Sequence, residues 1–193
     1  LSFSNLAKKL KIPRAVQQFL RSLPYNREED GETVRSAISA LKIGKAHCFE
    51  ATFIAAAILE ERGYPPLVVS MESQDNLDHV IYVFKTNNLW GSIGRSRDEG
   101  LHGRPPKFRS IRDLVRSYVE PFIDKTGRIT GYQLANLDDT GTDWRFSKRN
   151  LWKAEQYLID LPHKKFHSSD AQYEKAHKRY LEHGAMKRKK FWW

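Results

Sequence analysis

One cysteine and one histidine stand out for the chemistry they could do together. Cys48 is the chain's single cysteine and opens its most apolar stretch, CFEATFIAAAIL. A free cysteine ordinarily behaves as a small buried hydrophobe. At a helix start, however, the dipole and the unpaired N–H groups stabilise a thiolate. His79, thirty-one positions on, opens the segment HVIYVF, whose β-branched and aromatic content predicts a strand. A thiolate beside an imidazole is the working pair of cysteine nucleophilic catalysis. Cys48 would attack an amide or thioester carbonyl, and His79 would protonate the leaving amine. Water or a second amine would then release the acyl group. His47 reads as a loop histidine before the helix, with a second acid–base role as the alternative. Glu50, one turn inside, reads as serving the helix dipole.

These residues need elements to hold them. Pro13 is suited to a first helical position, and Val16, Phe19, Leu20 and Leu23 follow at helical spacing. The acidic run from Glu28 to Glu32 predicts the start of a second helix, with Val34, Ala37, Ile38 and Leu41 on one face and Gly44 at its end. The helix from Cys48 has no polar face in its middle and should be buried on most sides. Gly63 and Pro65-Pro66 stop it. Leu67 to Met71 predicts a strand, and His79 to Phe84 a second. Asn87-Asn88 turns the chain into a third strand, Leu89 to Gly94. Arg95 to Pro106 reads as a loop. Ser110 caps a further helix that ends near Pro121. Residues 126–141 read as irregular, and helices are expected over 150–161 and 171–183. The prediction is an α+β fold: a central Cys-bearing helix packed on an antiparallel β-sheet, with helical N- and C-terminal additions.

The segments AHCFEATFIAAAILEERGYPPLVVS and LDHVIYVFKTNNLWGSIG together resemble the transglutaminase-like superfamily of papain-like cysteine enzymes. The first is similar to that family's nucleophile helix and following strand. The second is similar to its hairpin, with histidine on one strand and tryptophan early in the next. The likeness covers residues 44–97. It implies a cysteine-proteinase-like fold with cysteine on the helix, histidine on the sheet, and a cysteine hydrolase or acyltransferase acting on a peptide, amide or acyl substrate.

The resemblance also implies a third residue, an aspartate near the fourth position beyond the tryptophan. That position is Gly94. Three readings stay open: a Cys–His dyad aided by Ser92 or Ser96, a carboxylate from elsewhere such as Asp98 or Asp78, or a catalytically degenerate site that serves as a binding module. Asp78 ranks lower, because neighbours in a strand point to opposite faces. For substrate binding, Arg95 and Arg97 are candidates to grip a carboxylate or phosphate, with Trp90 beside them.

The chain's 193 residues, 40% hydrophobic and 12% aromatic, are too apolar for a disordered protein and enough for a real core. One cysteine excludes an internal disulfide and a Cys-based zinc cluster. The opening LSFSNLAKKLKIP lacks the apolar core of a signal peptide, and no apolar run is long enough to span a membrane. A cytoplasmic setting is expected. The net charge is +10, yet residues 1–143 carry only +2 and residues 144–193 carry +8. This divides the chain into a core with its N-terminal helices (1–143) and a basic, mainly helical extension (144–193) packed on it with frayed last residues. Lys187 to Lys190 beside Trp192-Trp193 raises contact with nucleic acid or an acidic partner, against the plainer reading of a solvated tail. His163, His167, His177 and His183 are not expected to hold a metal, and no cofactor is implied.

Overall fold

A computed structural model of the chain describes residues 2–189 and 192–193. Four helices come first: α1 (Phe3–Lys9), α2 (Pro13–Ser22), α3 (Ala37–Ile43) and α4 (Cys48–Glu60). Strands β1 (Leu67–Ser73), β2 (His79–Thr86) and β3 (Leu89–Ile93) follow. After them come β4 (Arg104–Phe108), the short helices α5 (Ile111–Arg116) and α6 (Val119–Phe122), and strand β5 (Ile129–Asn136). Helix α7 (Trp152–Asp160), strand β6 (Lys164–Lys165) and helix α8 (Asp170–His183) complete the series. The fold is α+β, with one six-stranded sheet in the order β4-β3-β2-β1-β5-β6 and every neighbouring pair antiparallel.

Burial explains the apolar runs. Every α4 residue from Phe49 to Leu59 is buried, and the helix packs on β2 and α3, with α1 and α2 alongside. One core joins α4 to Val68, Val80, Tyr82 and Phe84. A second, on the opposite face, joins Val69, Met71, Ile81 and Val83 to Leu114, Val115, Tyr118 and Phe122 of the α5–α6 region. With both faces covered, β1 and β2 have no solvent side and so no polar alternation. At the β2–β3 turn, Asn87 and Asn88 both take positive φ (50° and 60°), the geometry of a tight two-residue hairpin.

Several expectations are corrected. Residues 129–136, read as irregular, form β5 and pair with the whole of β1. The Gly, Asn and Thr content concealed a strand stabilised by its neighbour. Residues 104–106, read as the end of a loop, belong to β4 despite Pro105-Pro106. An edge strand can lack ladder donors on its outer side. The acidic run at 28–32 opens no helix: α3 begins at Ala37 with Ser36 as its cap. Helix α5 ends at Arg116, short of Pro121.

The C-terminal residues contribute to the same cores. Trp144 is fully buried, stacked 6.2 Å from Phe53 of α4, and its carbonyl accepts from the Ala37 amide at 2.9 Å. At the chain end Trp192 is 6% exposed and Trp193 stacks on Phe84 at 5.6 Å. Trp192 covers the guanidinium of Arg104 at 3.5 Å. That buried cation lies against Tyr118 at 4.0 Å and donates to the Gly100 carbonyl at 2.7 Å. These tryptophans are therefore packed on the protein rather than presented as stacking surfaces. Lys190 and Phe191, part of the same basic-aromatic stretch, lie outside the described residues.

Candidate active site

The start of α4 is built by the loop before α3. The backbone at residues 24–26 runs beside Ala46, with Asn26 N–H donating to the Ala46 carbonyl at 3.2 Å. The acidic segment is thereby held over His47 and Cys48. Glu28 takes a left-handed backbone (φ 56°), uncommon for a residue other than glycine. Its carboxylate accepts from the Thr33 amide at 2.7 Å. Glu50 is fully buried. It accepts from the amides of His47 (3.2 Å) and Arg35 (3.2 Å), from the Asn26 side chain (3.2 Å), and from the Arg35 guanidinium (3.1 Å). Glu50 thus fastens the loop to the helix, a larger task than complementing a dipole.

His47, read as a plain loop residue, is inside this network. It is 8% exposed, its Nε2 lies 2.7 Å from the Thr33 carbonyl, and its Nδ1 accepts from the Phe49 amide at 3.3 Å. Glu28 and Glu50 each bring a carboxylate oxygen within 3.7 Å of Nε2. The Cys48 thiol beside it in the cleft wall also interacts with the ring. Burial alone would lower the pKa of this imidazole. The interaction with Cys48, the thiolate and Glu50 charges and the Thr33 carbonyl outweigh that and raise it to about 9.

The structure brings His79 to the same sulfur. The ring is 4% exposed, lies 6.5 Å from Tyr118, and directs Nε2 to the Leu101 carbonyl at 3.1 Å. Burial of Cys48 would raise its pKa. Interactions with His47 and His79 outweigh that and bring it down to about 5.

Of the other sequence candidates, Ser96, Asp98 and Asp78 line the cleft over Cys48 and Ser92 does not. Ser92 pairs with the Tyr118 hydroxyl at 2.7 Å and accepts from the Arg104 amide at 2.9 Å. Ser96 accepts from the Asp98 amide at 3.2 Å, and Asp98 lies 3.7 Å from Arg97. Asp78 accepts from the Ser73 amide at 2.8 Å. The partner of the far His79 nitrogen is a backbone carbonyl, which carries no side-chain signal in a sequence. Arg95 donates to the carbonyls of Leu23 (3.1 Å) and Ser96 (2.7 Å), bracing loops rather than facing a ligand. Trp90 sits under Lys85 at 4.6 Å and does not line the cleft over Cys48. Arg97 does line it. Glu28, Thr33 and Leu101 are the contributors that sequence reasoning missed.

That cleft encloses about 560 Å³. Its lining carries Glu28, Glu32, Asp78, Asp98, Asp124 and Glu155 against Arg27 and Arg97, the opposite of the chain's overall charge. Burial and the neighbouring Glu32, Glu28 and Cys48 raise the Glu155 carboxyl above its usual range, opposed by His47. The four C-terminal histidines are engaged or apart. His163 meets the Leu161 carbonyl (2.7 Å) and the Ser70 hydroxyl (3.2 Å), and His177 the Lys125 carbonyl (3.0 Å). His183 lies 3.8 Å from Glu182, and His167 lines a separate cavity between α6 and α8. Among the described residues, no three His, Cys, Asp or Glu side chains are grouped to hold a metal ion. Nor is any helix there long and apolar enough to cross a membrane.

No protein-family profile matches the chain, and no curated protein matches it. Among solved structures it is similar to Legionella pneumophila LapG (EGTA-treated). The two are 14% identical, the match covers 92% of this chain and 85% of that one, and the TM-score is 0.43. An overlap at that level carries no argument about activity. The α+β architecture with its antiparallel sheet is compatible with a cysteine-proteinase-like fold.

Proposed function

We propose that the chain is a cysteine-dependent enzyme of transglutaminase-like fold that transfers an acyl group or hydrolyses an amide. Helix α4 is its nucleophile-bearing central helix. The observation that carries this reading is a single one: a thiol at the start of a buried helix, under two imidazoles that favour its ionised form, at the wall of an open cleft.

Cys48 thiolate attacks the carbonyl carbon of the substrate. The oxyanion develops beside the N-terminal amides of α4, where the helix dipole favours negative charge. His79 donates its Nδ1 proton to the leaving amine, and the Leu101 carbonyl keeps the ring oriented by accepting from Nε2. Water or an amine, deprotonated by the same ring, then releases the acyl group. The acidic lining favours a neutral or cationic substrate over an anionic one. A binding module of the same fold is the second reading. It is favoured by the carbonyl at His79 where the family pattern implies a carboxylate.

Acylation by p-nitrophenyl acetate separates the two. The enzyme reading expects a burst of p-nitrophenolate and one acetyl group on Cys48 by intact mass, absent from Cys48→Ala. No burst, or an equal burst from Cys48→Ala, sinks it.

A further inference from the structure

We propose that His47, rather than His79, sets the charge of Cys48: its Nδ1 takes the thiol proton, and Glu28 and Glu50 hold the resulting imidazolium. This rests on the reading of Cys48 as a nucleophile and assigns the two histidines different work.

The hydrogen-bond pattern of the ring carries the argument. Nε2 is 2.7 Å from the Thr33 carbonyl. A carbonyl only accepts, so Nε2 bears a proton in every charge state of the ring. The lone pair of the neutral ring is therefore on Nδ1, which accepts from the Phe49 amide at 3.3 Å, and the adjoining Cys48 thiol is the other donor that interacts with this ring. Of these two donors only the thiol can give up its proton. The S–H bond breaks and its electron pair stays on sulfur. An N–H bond forms at Nδ1, and no net charge is created. The Phe49 N–H then loses its acceptor on the ring and remains at the helix start, beside the new thiolate.

The surroundings suit an imidazolium at His47 better than at His79. Two carboxylates stand 3.7 Å from Nε2 of His47, whereas the recorded partner of the far His79 nitrogen is the neutral Leu101 carbonyl. The left-handed backbone at Glu28 is a second sign. A non-glycine residue held there stores local strain, and here the strained residue is the one whose carboxylate reaches Thr33 and His47. The ionisable groups facing His47 are Cys48 and Glu50 of its own helix, Glu28 from the loop and Glu155 from α7. Arg35 acts through Glu50. His47 holds the proton taken from the thiol, and the proton that His79 gives to the leaving amine is one its Nδ1 has first taken from water in the open cleft, Nε2 keeping its own on the Leu101 carbonyl.

The test is the pH dependence of iodoacetamide alkylation, with the full chain and Cys48 as the only cysteine. His47→Asn keeps a side-chain acceptor at the helix cap and removes the cation. Native protein should react along an acidic limb near pH 5. In His47→Asn the limb should move up by more than a unit, cutting the rate at pH 6 at least about tenfold. His79→Asn should lose amide turnover and keep the limb. If the limb stays in His47→Asn, moves only in His79→Asn, or moves equally in both, the assignment is wrong. A native protein with no acidic limb removes the enzyme reading itself, a different failure. Should His47→Asn not fold, judged by circular dichroism, Glu28→Gln serves. It keeps an acceptor for Thr33 and should raise the limb measurably, whereas an unmoved limb overturns the proposal.

Discussion

Two histidines share a cleft wall with one cysteine, and their supports differ. His47 belongs to the chain next to Cys48. It is surrounded by a loop whose carbonyl and carboxylates arrive from Thr33, Glu28 and Glu50. His79 comes from the sheet and is held by one neutral carbonyl from the β3–β4 connection. Carboxylates stabilise a positive ring, and a carbonyl orients a ring without adding charge. On the proposed reading, the contrast assigns the two tasks of cysteine catalysis, forming a thiolate and moving protons to and from substrate, to separate groups.

The sharpest way to break the comparison is to remove what the histidines share. Cys48→Ala should abolish acyl-enzyme formation and reduce turnover by about four orders of magnitude or more, read by intact mass and product release. His79→Ala comes next. Amide turnover should fall by about 10²–10⁴-fold. A p-nitrophenyl ester, whose leaving group needs no proton, should still acylate Cys48. Because the deacylation base is also gone, the acyl-enzyme should accumulate. Equal loss on both substrates would end the division of labour.

A third variant strikes the loop side. Glu50→Ala leaves the Asn26, Arg35 and His47 donors without their buried acceptor and should cost about 3 kcal/mol of stability, measured by urea unfolding. His79→Ala should leave stability much nearer native. The smallest effect is that of pH on the intact protein. The Cys48 pKa lies below its ordinary value, so the thiolate is present above about pH 5 and is lost as pH falls through it. The His47 pKa lies above its ordinary value, so the ring's positive charge is complete at neutral pH and is lost as pH rises through about 9. Turnover should be flat between these limits and fall about tenfold per unit below the lower one.

Some of this was legible in one dimension. The Cys48 helix announced itself by apolar residues on every face, and the β2–β3 hairpin by strand-forming residues around Asn87-Asn88. Both signals are local. Strand β5 was hidden because its partner β1 lies more than fifty residues back, and pairing can impose a strand on a sequence with little intrinsic preference for one. The edge strand β4 was hidden by its prolines. The acidic run at 28–32 was visible but assigned to a helix dipole, because charge composition does not say which way a loop will fold. Arg104 falls in the stretch read as a loop, yet it lies between Tyr118 and Trp192, an aromatic some ninety residues away.

By itself, the sequence determined that a lone cysteine opens the most buried helix and that histidines lie beside it and at a strand start. It also determined that positive charge gathers in the last quarter. These follow from residue type and short-range spacing, which act within a turn or a hairpin. Only the tertiary structure decided what each histidine touches, that the cleft is acidic on a basic chain, and that the terminal tryptophans are packed away. Each of those depends on groups far apart in sequence, whose encounter is set by the packing of two cores around one sheet. The Leu101 carbonyl is the clearest case. Every residue has such an oxygen, so nothing in the order of side chains distinguishes the one that meets His79.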